Sequence, residues 1–261
     1  MIRKLQQLII ENRYQRNTPA AILFDHLPKC AGSTLTSYLL KQYPRRLTFQ
    51  INGHQTHQSV RKFCDSPQDQ RHQYSLIVGH FAHQTIDYAR PDMLRATYLR
   101  HPVDRIVSHY YFVKSQPHHY LHQAVMEQNM SLEDYAFSGI SSELENHYTA
   151  HFSNLTPDQV KAAPQAALEK AFHCLSNDYH VVGFQDQYAA GVEALRQAAG
   201  LKLPFRNTQH NRNKRRTASA DIPIAARKAI RQRNAIDIEL FELLKRHRRD
   251  GLYRAPQAAA A

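Results

Sequence analysis

The sequence predicts an α/β fold built on a mostly parallel five-stranded sheet flanked by helices. Short apolar runs typical of buried strands recur along the chain, and segments with apolar residues at helical spacing separate them. No fixed-period repeat is visible, and 261 residues with 42% apolar side chains suffice for one sizeable core. We therefore expect a single domain over residues 1–254, in which 1–17 form an arm or helix, followed by a frayed tail at 255–261.

Five short apolar runs are predicted to be the strands of this sheet. Four of them consist mainly of consecutive apolar residues, which is typical of buried strands, whereas residues 47–51 alternate between apolar and polar. The runs are residues 20–24, 47–51, 76–78, 96–99 and 180–184. Because helical segments lie between them, we expect successive strands to run parallel.

The segments between the predicted strands carry helix signals. A helix is expected to follow the first strand, with Ser33 or Thr34 as its N-cap. Pro102 opens a second helix, in which apolar residues repeat at helical spacing. A third helix is expected after the fifth strand and through Leu195.

Two further stretches, 118–175 and 222–248, are also expected to be helical, the second of them broken near Asn234. Within the first stretch, serine and threonine residues mark helix starts. These starts are Ser131, Ser141 or Ser142, and Thr156.

Polar residues follow four of the five predicted strands. They are Asp25-His26 with Lys29, then Asn52-Gly53-His54, Gly79-His80, and Arg100-His101. The carboxyl ends of parallel strands meet at one edge of a sheet, where ligands of open α/β folds bind. The pattern therefore predicts one active site at this edge.

The net charge of +12 is concentrated towards the end of the chain. Residues 201–250 contain fourteen Lys and Arg against five Asp and Glu. Such asymmetry favours an anionic ligand, a polyanionic substrate or nucleic acid. A solvated basic face on the last helices explains most of these charges equally well.

Cysteine usage and hydropathy point to a cytoplasmic protein. The three cysteines are far apart, which indicates neither a disulfide framework nor a CxxC metal site. No run approaches the roughly 18 apolar residues of a membrane-spanning helix, and the first residues lack the features of a signal peptide. We therefore expect no integral membrane segment.

The loop after the first strand has the composition of an anion-binding site. It consists of Pro28, Lys29, Cys30, Ala31, Gly32, Ser33 and Thr34. A strand, such a loop and a helix in succession place backbone N–H groups around an anion at the helix N-terminus, a P-loop-like layout. The loop is not a Walker A motif, because its lysine precedes the glycine.

Two motifs of the chain resemble those of a known enzyme family. Residues 25–34 resemble the signature H-[IL]-P-K-[TC]-A-G-[ST]-[ST] of the sulfotransferases that include heparan sulfate 2-O-sulfotransferase and bacterial relatives. About seventy residues later, 98–112 resemble the family segment R-[DH]-P-[VI]-[ED]-R-x-[VL]-S-x-Y-[YF]-F. The resemblance implies that the donor is 3′-phosphoadenosine-5′-phosphosulfate (PAPS), with residues 28–34 at its 5′-phosphosulfate. It also implies that Arg100 and Ser108 bind the 3′-phosphate.

A third segment, 204–215, is similar to a basic family loop that closes over the 3′-phosphate. Its candidate donor ligands are Asn211, Arg212 and Lys214, with Arg206 as an alternative. Residues 143–149 resemble a family helix whose Asn faces the acceptor, although a polar helix face explains this segment as well.

His80 is the candidate catalytic base, because it ends the third strand and resembles the family's catalytic histidine. An imidazole with an ordinary pKa of about 6.5 accepts a proton at neutral pH. His83 and His54 are the nearest alternatives, and Asp87 is a weaker one. Lys29 is the candidate for stabilising the leaving group.

These features predict a PAPS-dependent O-sulfotransferase of bacterial type, acting on a hydroxyl of a carbohydrate, another glycan or a small molecule. No metal is expected, because the histidines at 118, 119 and 122 have no partner at zinc-like spacing. Two alternatives are a nucleotide-dependent phosphotransferase on a P-loop-like fold and a basic nucleic-acid-binding protein. The first lacks a clear Walker lysine, and the second leaves residues 1–115 unexplained.

Overall fold

The computed structural model describes residues 2–206 and 222–247, and these residues form the predicted α/β fold. The strands are β1 Ile22–Asp25, β2 Thr48–Gln50, β3 Leu76–Gly79, β4 Leu94–Leu99 and β5 Val181–Phe184. They pair in the order β2-β3-β1-β4-β5, and every pair is parallel. The predicted five-stranded, P-loop-like sheet is therefore confirmed.

Helices connect the strands and follow them. The α-helices are α1 Ile2–Arg16, α2 Gly32–Leu39, α3 Thr56–Cys64, α4 Gln68–His72, α5 Pro102–Ser115, α6 His122–Glu127, α7 Leu132–Phe137, α8 His147–Ser153, α9 Pro157–Ala162, α10 Pro164–His173, α11 Tyr188–Ala198, α12 Ile224–Arg233 and α13 Ala235–His247. Among the described residues, no helix has both the length and the apolar character that crossing a membrane requires.

The described residues group into two compact units. Residues 2–99 and 179–206, which contain all five strands, form what we call the sheet unit. Residues 100–178 and 222–247 form the helical unit. The single domain over 1–254 stays a prediction, and the expected tail at 255–261 lies outside the described residues.

The sheet unit has a hydrophobic core on each face of its sheet. Ile22 and Phe24 of β1 point to the face that α2 and α11 cover. Leu23, between them, points to the opposite face and packs with Val60 and Phe63 of α3. Because helices cover both faces, consecutive residues of the central strand β1 are all buried, and this explains its continuous apolar run at residues 22–24.

The strand order places the end of β1 at a switch point of the chain. From β1 the chain passes to β2 and β3 on one side of the sheet, and then returns past β1 to β4 and β5 on the other. Asp25 at the end of β1 is level with Gly79 of β3 and Thr97 of β4. The loop that follows β1 therefore lies where α/β sheets of this kind bind ligands.

The helical unit is built from the helices predicted for it. Pro102 is at the first position of α5, and the apolar stripe of α5 is buried in a core with α6, α7 and α12. Ser131 and Thr156 begin α7 and α9, each with a complete capping box, and Ser141 caps the 3₁₀-helix Ser142–Leu144. These helix starts confirm the prediction, as does the break at Asn234 between α12 and α13.

The N-termini of α8 and α13 cap each other. The carboxylate of Asp237 in α13 accepts hydrogen bonds from the backbone N–H groups of Tyr148 and Thr149 at 2.9 and 2.8 Å. In return, Oδ1 of Asn146 accepts from the N–H groups of Ile236 and Asp237 at 3.1 and 3.3 Å. Each side chain thus satisfies first-turn donors of the other helix, which otherwise have no partner in their own helix.

We expect Asp237→Ala to destabilise the helical unit by about 3 kcal/mol, because it leaves two buried N–H donors and the Thr149 hydroxyl without their acceptor. Thermal unfolding measures the loss, and hydrogen exchange should accelerate at the amides of Tyr148 and Thr149. Asp158→Ala is the control, because Asp158 is exposed on α9 of the same unit. Unchanged exchange at both amides in Asp237→Ala would show that the cap does not stabilise α8.

Candidate active site

The loop between β1 and α2 has a backbone conformation that is compatible with anion binding. Lys29 and Ala31 have positive φ values of 64° and 66°, whereas Pro28 is held at negative φ by its ring and Cys30 is not among the positive-φ residues. Successive residues whose φ alternates in sign turn their N–H groups into one concavity, called a nest. Because left-handed backbone costs non-glycine residues about 1–3 kcal/mol, the surrounding fold must hold this loop in place.

The start of α2 differs from the prediction. The helix begins at Gly32, its N-cap is Ala31, and no side chain caps it. The expected cap at Ser33 or Thr34 is therefore wrong, because the left-handed turn at Ala31 starts the helix earlier. Since no side-chain acceptor occupies the helix N-terminus, its first-turn N–H groups can serve a bound anion.

The side chains of the loop have different positions. Lys29 is partly exposed and Ser33 is exposed, so both can reach a ligand. Cys30 is buried, and its thiol donates to the carbonyl of Pro28 at 3.5 Å. Cys30 can therefore contribute its backbone N–H to the nest, while its side chain is used within the loop.

His26, which the sequence places at the active-site edge without a role of its own, connects the loop to the neighbouring strand end. Its ring stacks on Phe24 at a centroid distance of 5.8 Å and lies 4.5 Å from the ring of His80. It also contacts the first residue of α2, where a Cβ on Gly32 would overlap the imidazole. Gly32 is thus required by the packing of His26, and the histidine before Leu-Pro-Lys was the available signal.

The His26 side chain is neutral at physiological pH. Burial, together with the nearby charges of His80 and Lys29, lowers the pKa of His26 to about 3, against the opposing effect of Asp25. A neutral ring adds no positive charge between the nest and His80. His26 therefore acts as a packing element between two functional segments.

His80 is oriented by the backbone of the loop. Its Nδ1 lies 2.5 Å from the carbonyl oxygen of His26. A carbonyl oxygen only accepts hydrogen bonds, so Nδ1 carries the proton, and Nε2 of the neutral ring then has a free lone pair. The arrangement leaves Nε2 as a proton acceptor whose direction is fixed from the opposite side of the ring.

Gly79 allows the turn that presents His80. Its φ of 146° is rare for L side chains, and a Cβ at this position would come within 2.6 Å of Cβ of Ile51. The close approach of β2 and the backbone conformation both require glycine here. The glycine before His80 is therefore part of the geometry that aims the imidazole.

The alternative bases lie in different surroundings in the same unit. Nδ1 of His83 lies 3.7 Å from the carboxylate of Asp25, which is fully buried and also accepts from the Tyr179 hydroxyl at 3.2 Å. His54 is exposed after β2, two strands away from β1, and Asp87 is exposed. His83 is therefore the nearer alternative in structural terms, because it too approaches the end of β1.

The second predicted anchor belongs to the helical unit. Arg100 is the residue after β4 in the chain and is buried, and Ser108 lies on α5 with a partly exposed side chain. The backbone N–H of Arg100 donates to the hydroxyl of Tyr148 at 3.3 Å, and this hydroxyl donates to the Arg100 carbonyl at 2.8 Å. Asn211, Arg212 and Lys214, the candidates from the third segment, lie outside the described residues.

The segment expected to face the acceptor is also internal to the helical unit. Asn146 is buried and its side-chain oxygen caps α13, so its amide group is occupied by the fold. Glu143, nearby in sequence, pairs with Nε2 of His109 at 3.1 Å. Burial opposes its ionisation, but the hydrogen bond from His109 and the charges of His147 and Arg105 lower the pKa of Glu143 to about 2.

Comparison with known proteins identifies the family of this chain. A search of curated proteins found no match. The sequence profile of the sulfotransferase family, in contrast, matches residues 12–243, which include the nest, His80, Arg100 and Ser108. Because the match covers most of the sequence, the chain belongs to the sulfotransferase family.

Proposed function

We propose that this sulfotransferase takes its sulfuryl group from PAPS and transfers it to a hydroxyl of a carbohydrate or a similar small acceptor. The observation that supports this most is the contact between the anion-binding loop and the candidate base. The carbonyl oxygen of His26, at the start of that loop, forms a hydrogen bond of 2.5 Å with Nδ1 of His80. A base fixed against an anion site is what deprotonation of an acceptor beside a bound phosphosulfate requires.

The donor would be held by residues 28–34 at its 5′ end and by Arg100 and Ser108 at its 3′-phosphate. The N–H groups of the nest and of the first turn of α2 supply donors for the phosphosulfate oxygens. A forked guanidinium suits a phosphate, as Arg100 would use it. The proposal for Asn211, Arg212 and Lys214 rests on the sequence alone.

In the proposed reaction, Nε2 of His80 takes the proton of the acceptor hydroxyl while that oxygen forms a bond to sulfur. The bond between sulfur and the bridging oxygen breaks in line, and its electron pair stays on the 5′-phosphate of the product, 3′-phosphoadenosine-5′-phosphate (PAP). Lys29 and the N–H groups of the nest stabilise this developing negative charge. His80 ends the reaction as an imidazolium and returns its proton to solvent.

The proposed acceptor and setting are based on the composition of the chain. The basic composition of the chain favours an anionic or phosphorylated acceptor, although donor binding accounts for part of the charge. We propose a glycan or a small hydroxyl-bearing molecule as acceptor, a reaction without a metal, and a cytoplasmic location.

The donor assignment predicts selective stabilisation by PAP. Wild-type protein should unfold several degrees higher with saturating PAP and show little shift with AMP, which lacks only the 3′-phosphate. Arg100→Ala should weaken PAP binding about 10- to 100-fold, because it removes a charge-assisted contact. Lys29→Ala should lower donor affinity and turnover together.

Controls for this experiment are charge changes at exposed positions of each unit. Lys62→Ala lies on α3 of the sheet unit, and Arg231→Ala lies on α12 of the helical unit. Both should leave PAP binding within twofold of wild type, about 0.4 kcal/mol. Equal stabilisation of the wild type by PAP and AMP would contradict PAPS as the donor.

The assignment of His80 as the base predicts that its replacement lowers turnover but leaves PAP binding unchanged. His80→Ala should lower the release of PAP from labelled PAPS by about 10²–10⁴-fold in the presence of a panel of sugar acceptors, because no group then takes the acceptor proton. Its affinity for PAP should remain near that of wild type. His83→Ala and His54→Ala serve as matched variants, and a larger loss of turnover in either of them would move the base to that residue.

A further inference from the structure

The hydroxyl of Tyr148 bonds both main-chain polar groups of the buried Arg100. Tyr148 is fully buried, and its hydroxyl accepts from the Arg100 N–H and donates to the Arg100 carbonyl. Resting on the proposed donor, we propose that Tyr148 is a positioning residue that fixes Arg100 for selective binding of the 3′-phosphate. Tyr148 itself would not touch the donor.

The location of Arg100 explains why such a contact matters. The residue lies between the last residue of β4, Leu99, and the first residue of α5, Pro102. His101, before the proline, has extended backbone with ψ of 128°, so the chain has not yet entered the helix. At this junction between strand and helix, the Tyr148 hydroxyl contacts both main-chain groups of Arg100.

Tyr148 is in turn held from two sides within the helical unit. The guanidinium of Arg105 lies over its ring, with Cζ 5.3 Å from the ring centroid. Nη2 of Arg105 donates to the carbonyl of Glu143 at 2.5 Å, which fixes the guanidinium above the ring. The N–H of Tyr148 donates to the carboxylate of Asp237 at 2.9 Å. Both the ring and the backbone of Tyr148 thus have contacts within the helical unit.

Because Tyr148 positions Arg100, its proposed effect is limited to binding of the 3′-phosphate. A guanidinium binds a phosphate through directed N–H groups, so its contribution depends on the position of the backbone from which it extends. Loss of the Tyr148 hydroxyl should therefore reduce the affinity for PAP, in which the 3′-phosphate is present. It should leave the weaker affinity for AMP nearly unchanged.

A double-mutant cycle tests this inference by calorimetric titration of the full chain with PAP and with AMP. Tyr148→Phe keeps the ring and removes only the hydroxyl. We expect it to weaken PAP binding about tenfold and AMP binding less than twofold. In the Arg100→Ala background, Tyr148→Phe should have no further effect on PAP, because the group that it positions is gone.

Tyr135→Phe is the matched control, since it also removes a fully buried hydroxyl of the helical unit. The Tyr135 hydroxyl lies 2.7 Å from Nδ1 of His109 and has no hydrogen bond to Arg100 among the contacts of the described residues. This variant should lower the unfolding temperature without changing the ratio of PAP to AMP affinity. The comparison of the two variants therefore distinguishes a general loss of stability from a loss of Arg100 positioning.

Should Tyr148→Phe not fold, Arg105→Lys takes its place in the cycle. It keeps the positive charge but removes the planar group over the Tyr148 ring, and it should lower the PAP to AMP ratio about threefold. An unchanged ratio in the folded variant, or an equal effect of Tyr148→Phe with and without Arg100, would overturn the inference. If wild-type protein does not distinguish PAP from AMP, the donor assignment itself fails, which is a different result.

Discussion

The carbonyl oxygen of His26 is the contact on which the candidate site of the sheet unit depends. It accepts a hydrogen bond from Nδ1 of His80, while the ring of His26 packs against Gly32 at the start of α2. One residue therefore joins the candidate base to the anion loop. The parallel pairing of β1 with β3 brings the two strand ends level, at Asp25 and Gly79, so that this contact can form.

The two loops that meet there are held in costly backbone conformations. After β1, Lys29 and Ala31 are left-handed, and Gly79 at the end of β3 and the nearby Phe81 also have positive φ. Each non-glycine residue in this region costs about 1–3 kcal/mol, which the buried sheet beneath must offset. The gain is that the N–H groups of the nest and the His80 ring are aimed before a ligand arrives, so that little ordering cost is left for the binding step.

Local patterns predicted the fold well, whereas contacts between distant residues could not be predicted. Apolar runs predicted four of the strands and an alternating pattern predicted β2, while Ser131 and Thr156 marked two helix starts. The cap at Ser33 or Thr34 was wrong, because an alanine carries no sign that it will adopt a left-handed turn. The role of Asn146 as a cap for α13 depends on residues about ninety positions away, and no spacing rule reports them.

The two arginines of the Arg100–Arg105 segment are both buried, and their contacts distinguish them. Arg105 is fully buried, stacks on Tyr148 and donates to the Glu143 carbonyl, so its charge is used inside the helical unit. Arg100 has its main chain held by that same tyrosine. A sequence motif with two arginines thus contains one proposed ligand and one residue that supports it. Net charge alone would have counted both as equal contributors to anion binding, although a fully buried guanidinium that lies over a ring and donates to a carbonyl of the same unit is turned inward.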